Sequence, residues 1–172
     1  MSTAKVAMII GDRIKLIAIA NDLTHALGVI AYTAFGYSYI LTRRETMFSH
    51  IMIGANNVQE SKVFYDAILG EMGYEAGVID EKGRCFYFTD SGVFALTKPI
   101  DGKPACHGNG TTIGFSAKTP AIADAWHAAG VANGGTTCED LPGVREGAIG
   151  KLYLAYLRDP SDNKICALHR IG

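Results

Sequence analysis

A chain of 172 residues is sized for one domain and, at most, an appendage. Hydrophobic residues make up 48% and charged residues 19%, which excludes an intrinsically disordered chain. Lysine and arginine number 16 against 17 aspartates and glutamates, so the net charge is −1 and nothing is set aside to neutralise a phosphate backbone; nucleic acid is not an expected partner. The four cysteines (Cys85, Cys106, Cys138, Cys166) are widely spaced with no C-x-x-C pair, the pattern of reduced thiols in a cytoplasmic protein.

Residues 1–46 differ in character from the rest. The run 23–42 holds no Asp, Glu, Lys or Arg and is closed by Arg43-Arg44, which is the length of a membrane helix with its arginines on the cytoplasmic side. Glycines, tyrosines, threonines and a serine lower its hydropathy, and no signal-peptide layout is present. Three readings stand: an extension ahead of a natural start at Met47, an accessory helix packed on the domain, or a membrane anchor. The expectation is an N-terminal extension over 1–46 outside the fold, with the working domain over 47–172.

The stretch 47–54 is rich in β-branched and apolar residues and is predicted to be a strand. Asn57, with Glu60 three residues on, is an N-cap in a capping-box pattern. Val58, Ser61, Phe64, Tyr65, Ile68 and Leu69 then recur at helical spacing, with Gly70 as the stop. Strands follow over 74–79, 84–89 and 93–98, the last two joined at Asp90-Ser91-Gly92. The same order returns. A strand over 112–116 precedes a helix capped by Thr119 with Pro120 at its first position, Trp126 on its apolar face and Gly130 at its end. Strands over 135–138, 152–158 and 164–169 complete the series, with 139–150 a polar loop of the kind that covers a site.

The halves superpose in sequence. At an offset of 62, His50 falls on Thr112, Asn57 on Thr119 and Phe64 on Trp126; Tyr87 falls on Tyr156 at 69, and Ala95 on Cys166 at 71. The chain is therefore expected to be α+β, with two βαβββ modules over 47–100 and 110–172 enclosing a cavity.

Within this duplicated order, Ser49-His-Ile-Met-Ile-Gly54, Phe64-Tyr65-x-x-x-Leu69-Gly70 and Arg158-Asp159-Pro160-x-x-Asn163-Lys164-Ile165 resemble the vicinal oxygen chelate superfamily. That group has the glyoxalase/bleomycin-resistance/dihydroxybiphenyl dioxygenase-like fold. The resemblance covers 47–172 and implies a homodimer. It carries the metal positions of the metal-dependent members onto His50, Ala95, Thr112 and Cys166, of which only His50 is a usual ligand for that place.

Period-2 alternation puts Phe48 and Met52 with His50 on the cavity side, Val93 and Thr97 with Ala95, and Leu168 and Lys164 with Cys166. The parity of 152–158 leaves open whether Leu154 and Tyr156 or Tyr153 and Ala155 face inward. The candidate catalytic groups are His50 and Cys166. Phe48, Met52, Thr97, Thr112, Tyr156, Leu168 and Arg145 are the candidate substrate contacts, with Arg145 or Lys98 meeting an anionic group. Cys106-His107, between the modules, is a further place for metal ligands.

These residues imply a binder of a small organic molecule, with most ordinary metal ligands missing and no cofactor expected. A net charge of −1 does not favour a cationic drug such as bleomycin. The alternative is a metal-dependent enzyme, a lactoylglutathione lyase-like lyase or isomerase or a dioxygenase, holding Zn, Ni, Fe or Mn with His50 as ligand or base.

Overall fold

Valine, isoleucine, tyrosine and threonine crowd 29–42, and side chains of this kind suit an extended backbone better than a helix. In the computed structural model β3 (Val29–Ala34) pairs antiparallel with β4 (Tyr37–Thr42), and upstream β1 (Lys5–Ile10) pairs with β2 (Arg13–Ala18). Both helical readings of 23–42, accessory and membrane-spanning, are corrected by these strands. The structure describes residues 47–147 and 150–171 in full, and before them the backbone of those four strands. Among the described residues no helix is long and apolar enough to cross a membrane. The chain divides into two compact units, Met1–Glu45 and Thr46–Gly172.

The second unit repeats one pattern twice. Its first half runs β5 (His50–Gly54), α1 (Val58–Glu71), β6 (Val78–Ile79), β7 (Cys85–Thr89) and β8 (Gly92–Thr97). Its second half runs β9 (Ile113–Ser116), α2 (Pro120–Ala132), β10 (Thr136–Thr137), β11 (Gly143–Gly147), β12 (Gly150–Arg158) and β13 (Lys164–Ile171). The sheets have orders β5-β8-β7-β6 and β9-β13-β12-β10, and in each the first strand lies parallel to the last. This is the expected pair of βαβββ modules. One strand was not foreseen: β11, which pairs with the start of β12, so much of the polar segment 139–150 is a hairpin rather than a covering loop.

Strand pairing tests the duplication rung by rung. Met52 pairs with Ala95 in the first sheet and Gly114 with Cys166 in the second, as offsets of 62 and 71 require. Phe86 pairs with Ala95, however, and Tyr156 with Cys166, so the middle offset is 70 and Phe86, not Tyr87, stands where Tyr156 does. The one-residue slip matters because neighbouring strand residues face opposite ways. Tyr87 and its true counterpart Leu157 are both buried in the core.

One face of each sheet is packed beneath the helices. Leu96, Cys85 and Tyr87 from the first sheet and Ala155, Leu157 and Ile165 from the second join Phe64, Tyr65 and Ile68 of α1 and Trp126 of α2 in one core. The Phe94 ring lies 4.9 Å from that of Tyr65 and edge-on to Phe115 at 5.3 Å, knitting the two modules together. Asn57 caps α1, its side chain accepting from the Gln59 and Glu60 amides, and Thr119 caps α2 through the Ile122 amide.

The helices end later than the sequence suggests. Gly70 and Gly130 are internal, and the left-handed residues past the ends are Gly73 (φ 85°) and Gly134 (φ 94°). Gly130 serves packing instead: a Cβ there would meet Leu157 Cδ1 at 2.3 Å and Phe64 Cε2 at 3.3 Å. Ser61, on the buried face of α1, has a hydroxyl with no hydrogen-bond partner. Ser61→Ala is expected to raise stability by about 1 kcal/mol in urea denaturation, through better helix propensity and removal of an orphaned polar group.

Candidate functional site

The faces turned away from the helices carry the site residues. Paired strand residues share a face, so His50 and Val93, Met52 and Ala95, and Gly54 and Thr97 lie together, with Phe86 and Phe88 beyond them. On the second sheet the same face holds Gly114 with Cys166 and Tyr156, and Ser116 with Leu168 and Leu154. The parity left open by the sequence is thus settled in favour of Tyr156 and Leu154. Tyr153 faces the other way, its hydroxyl donating to Asp124 of α2 at 2.7 Å.

A groove of about 270 Å³ opens at the seam between the first strands of the two modules. Its walls are Phe48, His50, Ile51 and Val93 from the first module and Ile113 to Ser116 from the second, and it reaches inward to Leu69, Tyr74, Tyr87 and Phe94. Most of this lining is apolar, and His50 places an imidazole on its wall. Ser49 Oγ lies 2.9 Å from His50 Nδ1. The room comes from a missing side chain. Gly114 stands where the first module has Met52, and a Cβ on it would meet nothing within 4 Å.

A second pocket, of about 220 Å³, lies at the start of β9 and is lined by His107 to Thr112 together with Arg158 and Lys164. It shares no residue with the groove. The side chain of Asn163, just ahead of β13, donates to the Gly54 carbonyl at the end of β5 at 2.9 Å. Since β9 runs parallel to β13, this bond sets the start of β9 toward the end of β5.

The predicted site residues are therefore divided. Phe48 and His50 line the groove, and Thr112 lines the other pocket. Met52 and Thr97 share the His50 face but line neither, and Thr97 Oγ1 donates to the Lys98 carbonyl. Tyr156 and Leu168 lie on the open face of the second sheet, and Lys164 Nζ sits 4.9 Å above the Tyr156 ring. Arg145 is held within its own hairpin, donating to the Leu141 and Val144 carbonyls with Asp140 3.7 Å away. Cys106 is exposed, and His107 Nδ1 lies 3.0 Å from Asp162. The sequence did not single out the aromatic pair Phe86 and Phe88, stacked at 6.1 Å, since the offset of 69 set Tyr87 rather than Phe86 opposite Tyr156. It also missed the grouping of Arg158 with Lys164.

The four family metal positions do not bring the family's usual donor set together among the described residues. Ala95 has no donor atom, Thr112 lies in the other pocket from His50, and Cys166 is buried, which pushes its thiol up to about 11. Among the described residues no group of three or more His, Cys, Asp or Glu side chains is placed to hold a metal ion.

No family model and no curated protein matches the chain. Solved structures do. A glyoxalase/bleomycin resistance protein from Albidiferax ferrireducens T118 is 61% identical with a TM-score of 0.71, over 73% of this chain and 100% of that one. A glyoxalase-related enzyme from Fulvimarina pelagi is 17% identical (TM-score 0.57, covering 72% of this chain and 88% of that one). A glyoxalase/bleomycin resistance protein/dioxygenase family enzyme from Burkholderia phytofirmans PsJN is 16% identical (TM-score 0.56, 72% and 98%). The last two attest to the fold alone. The 61% identity over the whole of the first, on the same pair of duplicated modules, shows that this chain belongs to the glyoxalase/bleomycin resistance protein family of the vicinal oxygen chelate superfamily.

Proposed function

We propose that residues 47–172 bind a small, mainly apolar organic molecule in the groove beside His50, without the family's metal, and that 1–46 is an appendage to that activity. The observation that carries this reading is the groove itself: about 270 Å³ of apolar space, opened by Gly114, with one imidazole on its wall. Small-molecule sites have this composition, an apolar lining with a few polar groups that orient the ligand. The volume is near the lower end of such sites and suits a compact ligand of one or two rings. His50 supplies a hydrogen bond to the ligand, whereas Cys166 is buried on β13 and is not among the groove's lining residues. The cytoplasm and a homodimer belong to the same reading, the first from the unpaired cysteines and the second from family resemblance.

A neutral fluorescent probe, N-phenyl-1-naphthylamine, tests it. Saturable binding of one probe per chain is expected, lost in Gly114→Leu, whose side chain would grow into open space and fill the groove while leaving the melting temperature close to wild type. A compound screen by thermal shift, comparing wild type with His50→Ala, then searches for the natural ligand. Equal probe binding in Gly114→Leu overturns the groove as the site. One tightly held Zn, Ni, Fe or Mn per chain in elemental analysis overturns the metal-free reading in favour of a lyase, isomerase or dioxygenase using His50.

A further inference from the structure

The pocket at the start of β9 has a chemistry of its own. Arg158, Lys164 and His107 converge on it, with the Thr111 and Thr112 residues and the Gly-rich turn of Gly108-Asn109-Gly110 completing the wall, and no carboxylate is among its lining residues. The first module carries no cation at the matching places. By the corrected offsets, Lys164 stands where the first module has Val93, Arg158 where it has Phe88, and Thr112 where it has His50.

Two carboxylates hold the cations from outside the pocket and leave donors over. Asp162 takes Arg158 Nε at 3.4 Å and His107 Nδ1 at 3.0 Å, while its carbonyl accepts from Arg158 Nη1 at 2.8 Å. Glu139 pairs with Lys164. Glu139 (φ 58°) and Asp162 (φ 68°) are also the non-glycine residues that adopt the left-handed backbone among the described residues. A guanidinium has five N–H donors and an ammonium three, so both groups retain N–H bonds for a further acceptor.

From this we propose that the pocket binds a phosphate-type oxyanion, either free or as the phosphoryl group of a larger molecule. Arg158 and Lys164 are the binding charges, and the threonine hydroxyls are neutral donors beside them. The site is independent of the groove, since the two share no residue.

The test is titration of the full chain with inorganic phosphate and with phenyl phosphate, by calorimetry at pH 7 and constant ionic strength held with chloride. Saturable binding of one anion per chain is expected for at least one of them. Tighter phosphate identifies a free anion as the occupant, and tighter phenyl phosphate an organic ester. Lys164→Met weakens binding at least tenfold, as does Arg158→Gln, while Glu139→Gln, which releases Lys164 from its partner, tightens binding several-fold. No saturable binding of either compound beyond the chloride control overturns the proposal. So does binding that is unchanged in both cation variants, or weakened by Glu139→Gln in a chain whose melting temperature is unchanged.

Discussion

Trp126→Ala is expected to lower the stability of the chain by about 3 kcal/mol, toward the lower end of the usual range for a large buried aromatic. The side chain is fully buried at the centre of α2 and belongs to the core shared by both helices and both sheets. Its removal leaves a cavity that the surrounding structure cannot close, because α2 is already drawn tightly onto its neighbours at Gly130. One feature moderates the loss. Trp126 Nε1 is buried without a hydrogen-bond partner, so truncation also removes an unsatisfied donor. Urea denaturation followed by circular dichroism measures it, the chain's one tryptophan being gone as a fluorophore. A lower midpoint with an unchanged slope is the expected result. Trp126→Phe should recover a large part of the loss, since it refills the space without an N–H.

The duplication that made the fold legible is carried by just such residues. Phe64 and Trp126 sit at the same place in two copies of one helix, and both are fully buried. Caps were equally readable, since Asn57 and Thr119 act through side-chain oxygens on amides two or three residues along the chain. Glycines were not. The sequence cannot say whether a helical glycine ends the helix, as Gly73 does through its positive φ, or permits close packing, as Gly130 does. That distinction depends on Leu157, which lies far away in the chain.

The site was readable to the extent that strand alternation governs it. His50 and Phe48 were placed together by local sequence, and both line the groove. Alternation fails where the count of residues in a turn is unknown: a slip of one hid Phe86. It fails also where partners converge from separate segments. Arg158 and Lys164 close the hairpin around the 159–163 turn, but His107 comes from the connector between modules, so no spacing rule brings it to them. Arg145, chosen from sequence with Lys98 as the cation for an anionic ligand, spends donors on its own hairpin, whereas Arg158 and Lys164 beside that turn keep donors beyond their carboxylate partners.

The same turn carries the other large stability effect. Asp159→Ala is expected to cost roughly 3 kcal/mol, because several buried donors lose their acceptor at once. Asp159 is 4% exposed. Oδ1 accepts from the Ser161 and Asn163 amides at 2.8 Å, and Oδ2 from the Asn163 side chain at 2.9 Å and the Tyr65 hydroxyl at 3.0 Å. Ser161 and Asn163, so fixed, reach across to the first module, where Ser161 Oγ accepts from the Asn56 amide and Asn163 Nδ2 donates to the Gly54 carbonyl. Asp159 therefore ties the last turn of the second module to the end of β5 and to α1. Its burial raises the carboxyl pKa, and the hydrogen bonds from Asn163, Tyr65 and Ser161 only partly offset that. A carboxyl raised on folding binds its proton more tightly in the folded state, so its contribution to stability falls as pH rises from the unfolded value of about 3.9 through the folded one. Asp159→Asn keeps an acceptor for the two amides and cannot titrate. The stability difference between wild type and Asp159→Asn should accordingly shrink as pH is raised from 4 to 7, and urea denaturation at several pH values reads it directly. A difference that grows over that range would mean that the hydrogen bonds, not burial, set the charge state of Asp159.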